Sequence, residues 1–235
     1  MNIFFHNIFN FHVLLPLVLS LTFNIYLYSQ NPPIDDSKNI IDILISPPPV
    51  TNFSHSENSV FISPVNPDVI LNSNMAHSLS TNPPSNFGLS AQFSSDGGLT
   101  WPVPDGVKWQ LNSSLADPAV VIGLDGKMYI GYINRQTGDQ NISIYSGNGQ
   151  TWNEYTVAFC TSCSPQSGLI LDKNHLWIDN RNFNQDNTIN IFKNHLYAAW
   201  TDLGSTTSTP NELIFSVSDN GQTWPSPPCK PGFRN

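Results

Sequence analysis

Ser94-Ser95-Asp96-Gly97-Gly98-Leu99-Thr100-Trp101 is a short polar segment that this chain uses three times. It returns as Val217-Ser218-Asp219-Asn220-Gly221-Gln222-Thr223-Trp224, and a degenerate copy, Tyr145-Ser146-Gly147-Asn148-Gly149-Gln150-Thr151-Trp152, lies between the two. Each copy contains a Ser, then a Gly, then Thr-Trp. A unit that recurs along a chain indicates a repeat architecture.

The composition of this segment predicts a tight turn between two strands. Ser and Asp side chains can hydrogen-bond backbone N–H groups a few residues further on, and Gly adopts a positive φ without steric cost. A strand-like run precedes each copy, at residues 89–93, 141–144 and 212–215. The Trp begins the returning strand and can bury about 150–250 Å².

These turns resemble the Asp-box, or BNR repeat, of sialidase-like β-propellers, whose pattern is Ser-x-Asp-x-Gly-x-Thr-Trp. The first copy matches this pattern throughout, whereas Val217 replaces the first Ser in the third copy and Gly147 replaces the Asp in the second. In that family the boxes lie on the face opposite the ligand, so the resemblance implies a structural role. The box residues predicted in this way are Ser94, Asp96, Gly98, Thr100, Trp101, Ser146, Gly149, Thr151, Trp152, Ser218, Asp219, Gly221, Thr223 and Trp224.

The rest of the chain fits four-stranded antiparallel blades. An acid precedes an apolar run in each unit, at Glu57, Asp117 and Asp172, and second strands are predicted at 69–72, 128–133 and 196–201. Strands after the box Trp are predicted at 107–111 and 153–159. The predicted fold is therefore all-β, a β-propeller with about three blades, at 55–115, 116–170 and 171–235. Sialidase-like propellers have six blades, so the resemblance implies a partial ring.

Composition excludes some classes of function. Charged residues make up only 11% of the 235 residues and the net charge is −8, which argues against a nucleic-acid-binding protein. The 19 prolines fall mostly between the strand-like runs and disfavour long helices.

The N-terminus has the features of a targeting segment. Residues 13–28 are mostly apolar, and a signal peptide is predicted at 1–29, followed by a Pro-rich linker at 30–54. No Lys or Arg precedes Lys38, so the usual positive region is missing, and an uncleaved membrane anchor is the alternative. Either way the chain is predicted to be secreted or held at the cell surface.

Two smaller features suggest local cross-links. Cys160 and Cys163 can form a short-loop disulfide in an exported protein, with Cys229 left over. No metal site is predicted, although oxygen-bearing side chains in one loop leave calcium as an open alternative. Those side chains are Asp179, Asn180, Asn182 and Asp186.

Candidate site residues follow from blade geometry. The loop entering the innermost strand and the loop between second and third strands share one face, so Glu57, Asp117 and Asp172 are expected to surround a common opening. Arg135 and Asp202, in the loops between second and third strands, are candidate ligand-binding residues. The acids are either catalytic groups or caps that bond backbone amides, and their recurrence in every blade favours the caps.

Two functions are carried forward. The first is a sialidase-like module that binds extracellular glycans or cell-surface proteins without hydrolysing them. The alternative is a glycoside hydrolase of exo-α-sialidase type, completed by sequence beyond Asn235. The resemblance implies an arginine triad, an Asp acid/base and a Tyr nucleophile, but the Arg-Ile-Pro motif is absent, and no catalytic residue is carried over. No cofactor is predicted.

Overall fold

A computed structural model describes residues 53–78, 87–101, 114–145, 152–161, 163, 165, 169–203 and 212–225. All of them belong to one compact unit, residues 43–235. Within these ranges the chain forms ten strands and no helix. The signal peptide, the linker up to residue 52 and the strand predicted at 107–111 lie outside the described residues. No described helix has the length and apolar character needed to cross a membrane.

The strands form three antiparallel sheets in chain order. Sheet I contains β1 (Phe53–Ile62), β2 (Ile70–Ser78) and β3 (Phe87–Ser94). Sheet II contains β4 (Leu115–Ile122), β5 (Met128–Asn134), β6 (Gln140–Tyr145) and β7 (Trp152–Ala158). Sheet III contains β8 (Leu171–Ile178), β9 (Leu196–Asp202) and β10 (Glu212–Ser218). Each sheet is a meander, since every strand pairs with its sequence neighbour.

Sheet II lies between the other two, and its sequence shows why. Successive side chains of a strand point to opposite faces, so a strand buried on both faces is apolar at every position. Residues Val120, Val121 and Ile122 form such a run, and all three are buried. Burial of each is worth about 1.5–3 kcal/mol.

Two hydrophobic cores result, one on each face of sheet II. Toward sheet I, Val120, Ile122 and Tyr132 pack with Leu71 and Ala91. Toward sheet III, the core members include Val121, Tyr129, Ile142, Ile144, Leu176, Ile178, Leu196 and Trp200. The three sheets are thus packed face to face rather than joined into one continuous sheet.

The first strands of the sheets lie side by side, with β4 in contact with both β1 and β8. The backbone N–H of Val120 in β4 donates to Oγ of Ser59 in β1 at 3.1 Å. Between sheets II and III, the N–H of Leu171 donates to the carbonyl of Gly138 at 3.0 Å. Three sheets whose first strands are neighbours have the arrangement expected of successive blades, and the closed ring is not part of the described structure.

The strands predicted within the described residues are confirmed in position, with one correction to where the first strands begin. They begin before the acids, at Phe53, Leu115 and Leu171. The acid was expected to open each apolar run, but backbone pairing extends past it because a bulge absorbs the irregularity. Four strands are described in sheet II and three each in sheets I and III.

Candidate functional site

Each first strand carries a β-bulge at the same place. The register of pairing breaks between Ser56 and Ser59, between Ala116 and Ala119, and between Asp172 and His175. One non-Gly residue in each bulge has a left-handed backbone: Glu57 at φ 53°, Asp117 at φ 52° and Lys173 at φ 53°. Such a conformation costs an L-residue about 1–2 kcal/mol. Bulges of this kind re-aim a side chain, and here all three are charged.

The three re-aimed side chains converge although they come from three sheets. The Lys173 ammonium hydrogen-bonds Oε2 of Glu57 and lies 3.7 Å from Oδ2 of Asp117. The Asp117 side chain is 18% exposed, against 57% for Lys173 and 43% for Glu57. One cation is therefore shared by two carboxylates, and Asp117 is the innermost of the group. We call Glu57, Asp117 and Lys173 the bulge cluster.

The surroundings of the bulge cluster shift the pKa values of two of its members, Asp117 and Lys173. Burial raises the pKa of Asp117, and the negative charges of Glu57 and Asp172 raise it further, while Lys173 and Arg135 oppose the change. The hydrogen bond to Glu57 is the main cause of a raised pKa at Lys173. Lys173 therefore stays charged at neutral pH, and Asp117 is the acid in the cluster that burial favours in its protonated form.

The left-handed position of the third bulge is occupied by Lys173 rather than by Asp172, the acid that the sequence pattern singled out. Asp172 pairs with Thr201 ahead of the bulge, in the position that Ser56 and Ala116 hold in the other sheets. It influences Asp117 through its charge but does not occupy the left-handed position. Aligning the three units on their acids selects Asp172, one residue before Lys173. A shift of one residue moves a side chain to the other face of a strand.

A different alignment would have found Lys173. Each first strand ends on an isoleucine, at Ile62, Ile122 and Ile178. Counting back the same distance from these residues reaches Glu57, Asp117 and Lys173. The apolar ends are the better reference because each lies five residues after the left-handed residue, whereas the charge at the bulge varies in sign.

The bulge of β8 lies close to β5 of sheet II. A Cβ at Gly131 in β5 would lie 2.8 Å from Nδ2 of Asn174, the second residue of that bulge. The absence of a side chain at Gly131 therefore leaves room for the Asn174 amide. Buried Oδ1 of Asn174 has no hydrogen-bond partner among the described residues.

Arg135 and Asp202 lie at the same end of their sheets as the cluster. Arg135 follows β5, and its backbone N–H donates to the carbonyl of Ser114 at 2.7 Å. Asp202 ends β9 and pairs with Leu171 at the start of β8. Arg135 acts on the charge of Asp117, while the ligand-binding role predicted for both residues stays a prediction.

The first box turn lies at the other end of its sheet. Ser94 ends β3 opposite Ile70, and the N–H of Gly97 donates to the carbonyl of Asp68 in the β1–β2 turn at 2.9 Å. Glu57, in contrast, lies at the middle of β1, five residues before Ile62. The first box and the bulge cluster are thus separated along the strands.

Hydrogen bonds explain the composition of the first box. Oγ of Ser94 accepts the N–H of Gly98 at 2.8 Å, and Asp96 accepts the N–H and the hydroxyl of Thr100 at 2.9 and 2.6 Å. The indole of Trp101 donates to the carbonyl of Gly98 at 2.9 Å. The two bonds from Thr100, its hydroxyl first, and a third from the Ser94 hydroxyl lower the pKa of Asp96 to about 2. Each side chain of the motif thus closes the turn on itself.

The third box makes the same bonds with one residue fewer, which corrects the role expected for Asp219. Oγ of Ser218 accepts the N–H of Gly221 at 2.8 Å, and Oδ1 of Asn220 accepts the N–H of Thr223 at 2.9 Å. Trp224 donates to the carbonyl of Gly221 at 3.0 Å. Asn220 therefore does what Asp96 does in the first box, since the acceptor must follow the Ser by two residues.

Tyr145 and Trp152, the first and last residues of the middle copy, are described; Ser146, Gly149 and Thr151 lie outside the described residues. The ring of Trp152 lies 5.4 Å from that of Tyr145, centroid to centroid, across the end of the β6–β7 pair. Its buried indole N–H has no partner among the described residues. This tilted ring pair lies where the β6 and β7 strands pair at Tyr145 and Trp152.

The loop proposed for calcium is organised by side-chain pairs. Arg181 donates to both oxygens of Asp179, at 3.1 and 2.8 Å, and these bonds lower the pKa of Asp179 to about 2. Asp186 accepts the N–H and the hydroxyl of Thr188 at 3.1 and 2.6 Å. No group of three His, Cys, Asp or Glu side chains that could hold a metal ion occurs within the described part of the chain. Calcium binding stays a prediction.

Cys160 and Cys163 form a disulfide with their Cα atoms 5.4 Å apart. The bridged loop packs on the β5–β6 connection, where the N–H of Cys160 donates to Asp139 at 2.7 Å. A Cβ at Gly138 would lie 2.6 Å from Sγ of Cys163. The disulfide therefore fixes a loop at the same end of sheet II as Arg135.

The fold and the site together define an all-β protein in which three face-to-face antiparallel sheets each contribute one charged bulge residue to a common cluster. No family model and no curated protein sequence matches the chain.

Solved structures with a similar fold do occur. One is a protein of unknown function from Dyadobacter fermentans, with a TM-score of 0.48, 13% identity and coverage of 73% of this chain and 49% of that one. Another is Trypanosoma rangeli sialidase bound to the inhibitor DANA, with a TM-score of 0.44, 15% identity and coverage of 68% of this chain and 23% of that one. A third is the exo-inulinase of Aspergillus awamori, with a TM-score of 0.44, 14% identity and coverage of 74% of this chain and 37% of that one. The chain spans half or less of each, and what it does is inferred from its own residues.

Proposed function

We propose that this chain is part of a six-bladed, sialidase-like β-propeller that binds glycans through the bulge cluster of Glu57, Asp117 and Lys173. The observation that carries the proposal is the convergence of three left-handed, charged residues, one from each sheet, on a single ion-paired group. Strained, non-Gly backbone conformations concentrate at functional sites. Recurrence at equivalent positions alone would favour caps, but these side chains contact one another across three sheets, and this convergence supports a binding role.

The chemistry of the cluster suits a polyhydroxylated ligand. Carboxylates accept hydrogen bonds from sugar hydroxyls, and the ammonium of Lys173 donates them. The groups are mounted on strands rather than on loops, which holds them in place before a ligand arrives. The box turns lie at the far ends of the sheets, and this agrees with the structural role that the resemblance implies for them.

Binding can be tested on a glycan array with the full chain. We expect a glycan ligand whose affinity falls at least about tenfold in Lys173→Met, because the cation that orders both carboxylates is lost. Lys127→Met is the matched control, since Lys127 forms an exposed ion pair with Asp125 at 2.7 Å in the β4–β5 turn, away from the cluster. Equal binding by the wild type and Lys173→Met, or no glycan binding at all, would refute the proposal.

A second candidate, glycoside hydrolysis, is favoured by the environment of Asp117. A general acid needs a carboxyl that keeps its proton near working pH, and burial acts on Asp117 in that direction. Glu57 is the second carboxylate, a pair being the usual requirement. Release of an aryl leaving group from a panel of aryl glycosides tests this, and Asp117→Asn should abolish the activity while leaving the fold intact. A wild-type chain that hydrolyses none of them excludes this candidate and leaves binding standing.

We also propose that the chain is exported and meets its ligand, an extracellular glycan or a cell-surface glycoprotein, outside the cytoplasm. The Cys160–Cys163 disulfide supports this, because such bonds persist in oxidising compartments. Mass spectrometry of the exported chain should find a new N-terminus at Gln30. An intact N-terminus in a membrane fraction would instead indicate the anchor.

A further inference from the structure

The charge balance of the site restricts which glycans it can hold. The charges of two further carboxylates, Glu57 and Asp172, act on Asp117 there, and so do those of two cations, Lys173 and Arg135. Asp202 adds a further acid at the same end of sheet III. Carboxylates thus outnumber cations among the described residues of the site.

The central cation is already engaged. Lys173 hydrogen-bonds Glu57 and lies 3.7 Å from Asp117, so its charge is shared between two carboxylates before any ligand binds. A sugar that carries its own carboxylate would have to compete with both for this ammonium. It would also be repelled by Asp172 and Glu57.

Recognition of anionic sugars calls for the opposite arrangement. A sugar carboxylate is gripped best by planar guanidinium groups that bind it through two parallel hydrogen bonds. Arg135 is the single guanidinium near the cluster among the described residues, and its charge acts on Asp117. Uncharged hydroxyl groups, in contrast, donate well to ionised carboxylates and carry no repulsion.

We infer that the bulge cluster takes an uncharged glycan and discriminates against sialylated and uronic-acid-bearing ones. This inference rests on the proposed glycan-binding function and makes the exo-α-sialidase alternative the less favoured form of it. Vicinal hydroxyls of a neutral sugar donate to Glu57 and Asp117, and Lys173 donates to a ring or hydroxyl oxygen between them.

The test uses matched glycans that differ only in one acidic sugar. The full chain is screened against an array of neutral oligosaccharides, each printed beside its sialylated or uronic-acid counterpart, and the best pair is measured by biolayer interferometry. We expect the neutral member to bind at least tenfold tighter, with a Kd that changes less than twofold between 50 and 500 mM NaCl, because binding a neutral ligand is only weakly screened.

One substitution probes the cause of the preference. Glu57→Gln removes a negative charge but keeps a hydrogen-bonding side chain of the same size. It should weaken binding of the neutral glycan and reduce the ratio of the Kd values of the acidic and neutral glycans at least about threefold. Lys127→Met should leave this ratio unchanged. Thermal unfolding of both variants checks that the fold is retained.

The outcomes separate the two proposals. Tighter binding of the acidic member, lost in Lys173→Met, would overturn the inference while upholding glycan binding at the cluster. Absence of binding to either member, or binding that no cluster substitution alters, would overturn the proposed function and the inference with it. If the neutral glycan binds more tightly and Glu57→Gln does not change this preference, the inference is also overturned, because the discrimination would then not arise from this charge balance.

Discussion

Gly221 offers the sharpest test of how the sheets are held together. It belongs to the third box, has φ 73°, and would place a Cβ 2.8 Å from Cδ1 of Leu196, 3.0 Å from Cδ1 of Ile144 and 3.2 Å from Cε1 of Tyr129. Leu196 belongs to sheet III, whereas Ile144 and Tyr129 belong to sheet II. The box turn therefore packs directly into the contact between two sheets.

The cost of Gly221→Ala has two parts that a control variant can separate. A left-handed Ala costs about 1–2 kcal/mol of folding free energy, and forcing a methyl group into filled space typically costs a further 1–3 kcal/mol. Gly126, in the β4–β5 turn, has φ 77° and nothing within 4 Å of its would-be Cβ. Gly126→Ala therefore carries the backbone cost alone.

Guanidinium unfolding followed by tryptophan fluorescence gives both free energies. We expect Gly126→Ala to lose about 1–2 kcal/mol and Gly221→Ala about 2–5 kcal/mol. The difference of about 1–3 kcal/mol measures the packing of the third box on sheet II. Equal losses in the two variants would refute the face-to-face packing of sheets II and III at this turn.

Three further predictions concern local structure. Because hydrogen bonds from Arg181 lower the pKa of Asp179 to about 2, the pair should stabilise the fold above the ordinary carboxyl pKa of 3.8 and cease to do so as the pH falls toward 2. Asp179→Asn should therefore lower the melting temperature at pH 6 and have little effect near pH 2, and the same loss at both would contradict the pairing. Replacing Cys160 and Cys163 together by Ser should cost about 2 kcal/mol for so short a loop, measured by urea unfolding against the oxidised wild type; no change relative to the oxidised protein would show that the bridge does not constrain the chain. Asp96→Asn should retain the wild-type melting temperature, because a carboxamide already makes these bonds in the third box, whereas Asp96→Ala should lower it; equal values for the two variants would remove the proposed role of the acceptor.

Much of the architecture was readable from short-range patterns. The continuous apolar runs in sheet II and the Ser, Gly and Thr-Trp positions of the box turns predicted strands and hairpins at the observed places. These features depend on backbone geometry and on hydrogen bonds between residues a few positions apart, as the bonds within residues 94–101 show. Such information is local, so the amino-acid order alone was sufficient.

The identity of the residues at the site was decided by pairing between strands. Whether Asp172 or Lys173 enters the cluster depends on a bulge, and whether Asp219 or Asn220 closes the third box depends on a turn shorter by one residue. Both are set by which residues face each other across β8, β9 and β10. The meeting of Glu57 with Lys173, 116 residues apart in the chain, arises only when sheet II buries both of its faces and brings sheets I and III to either side of it.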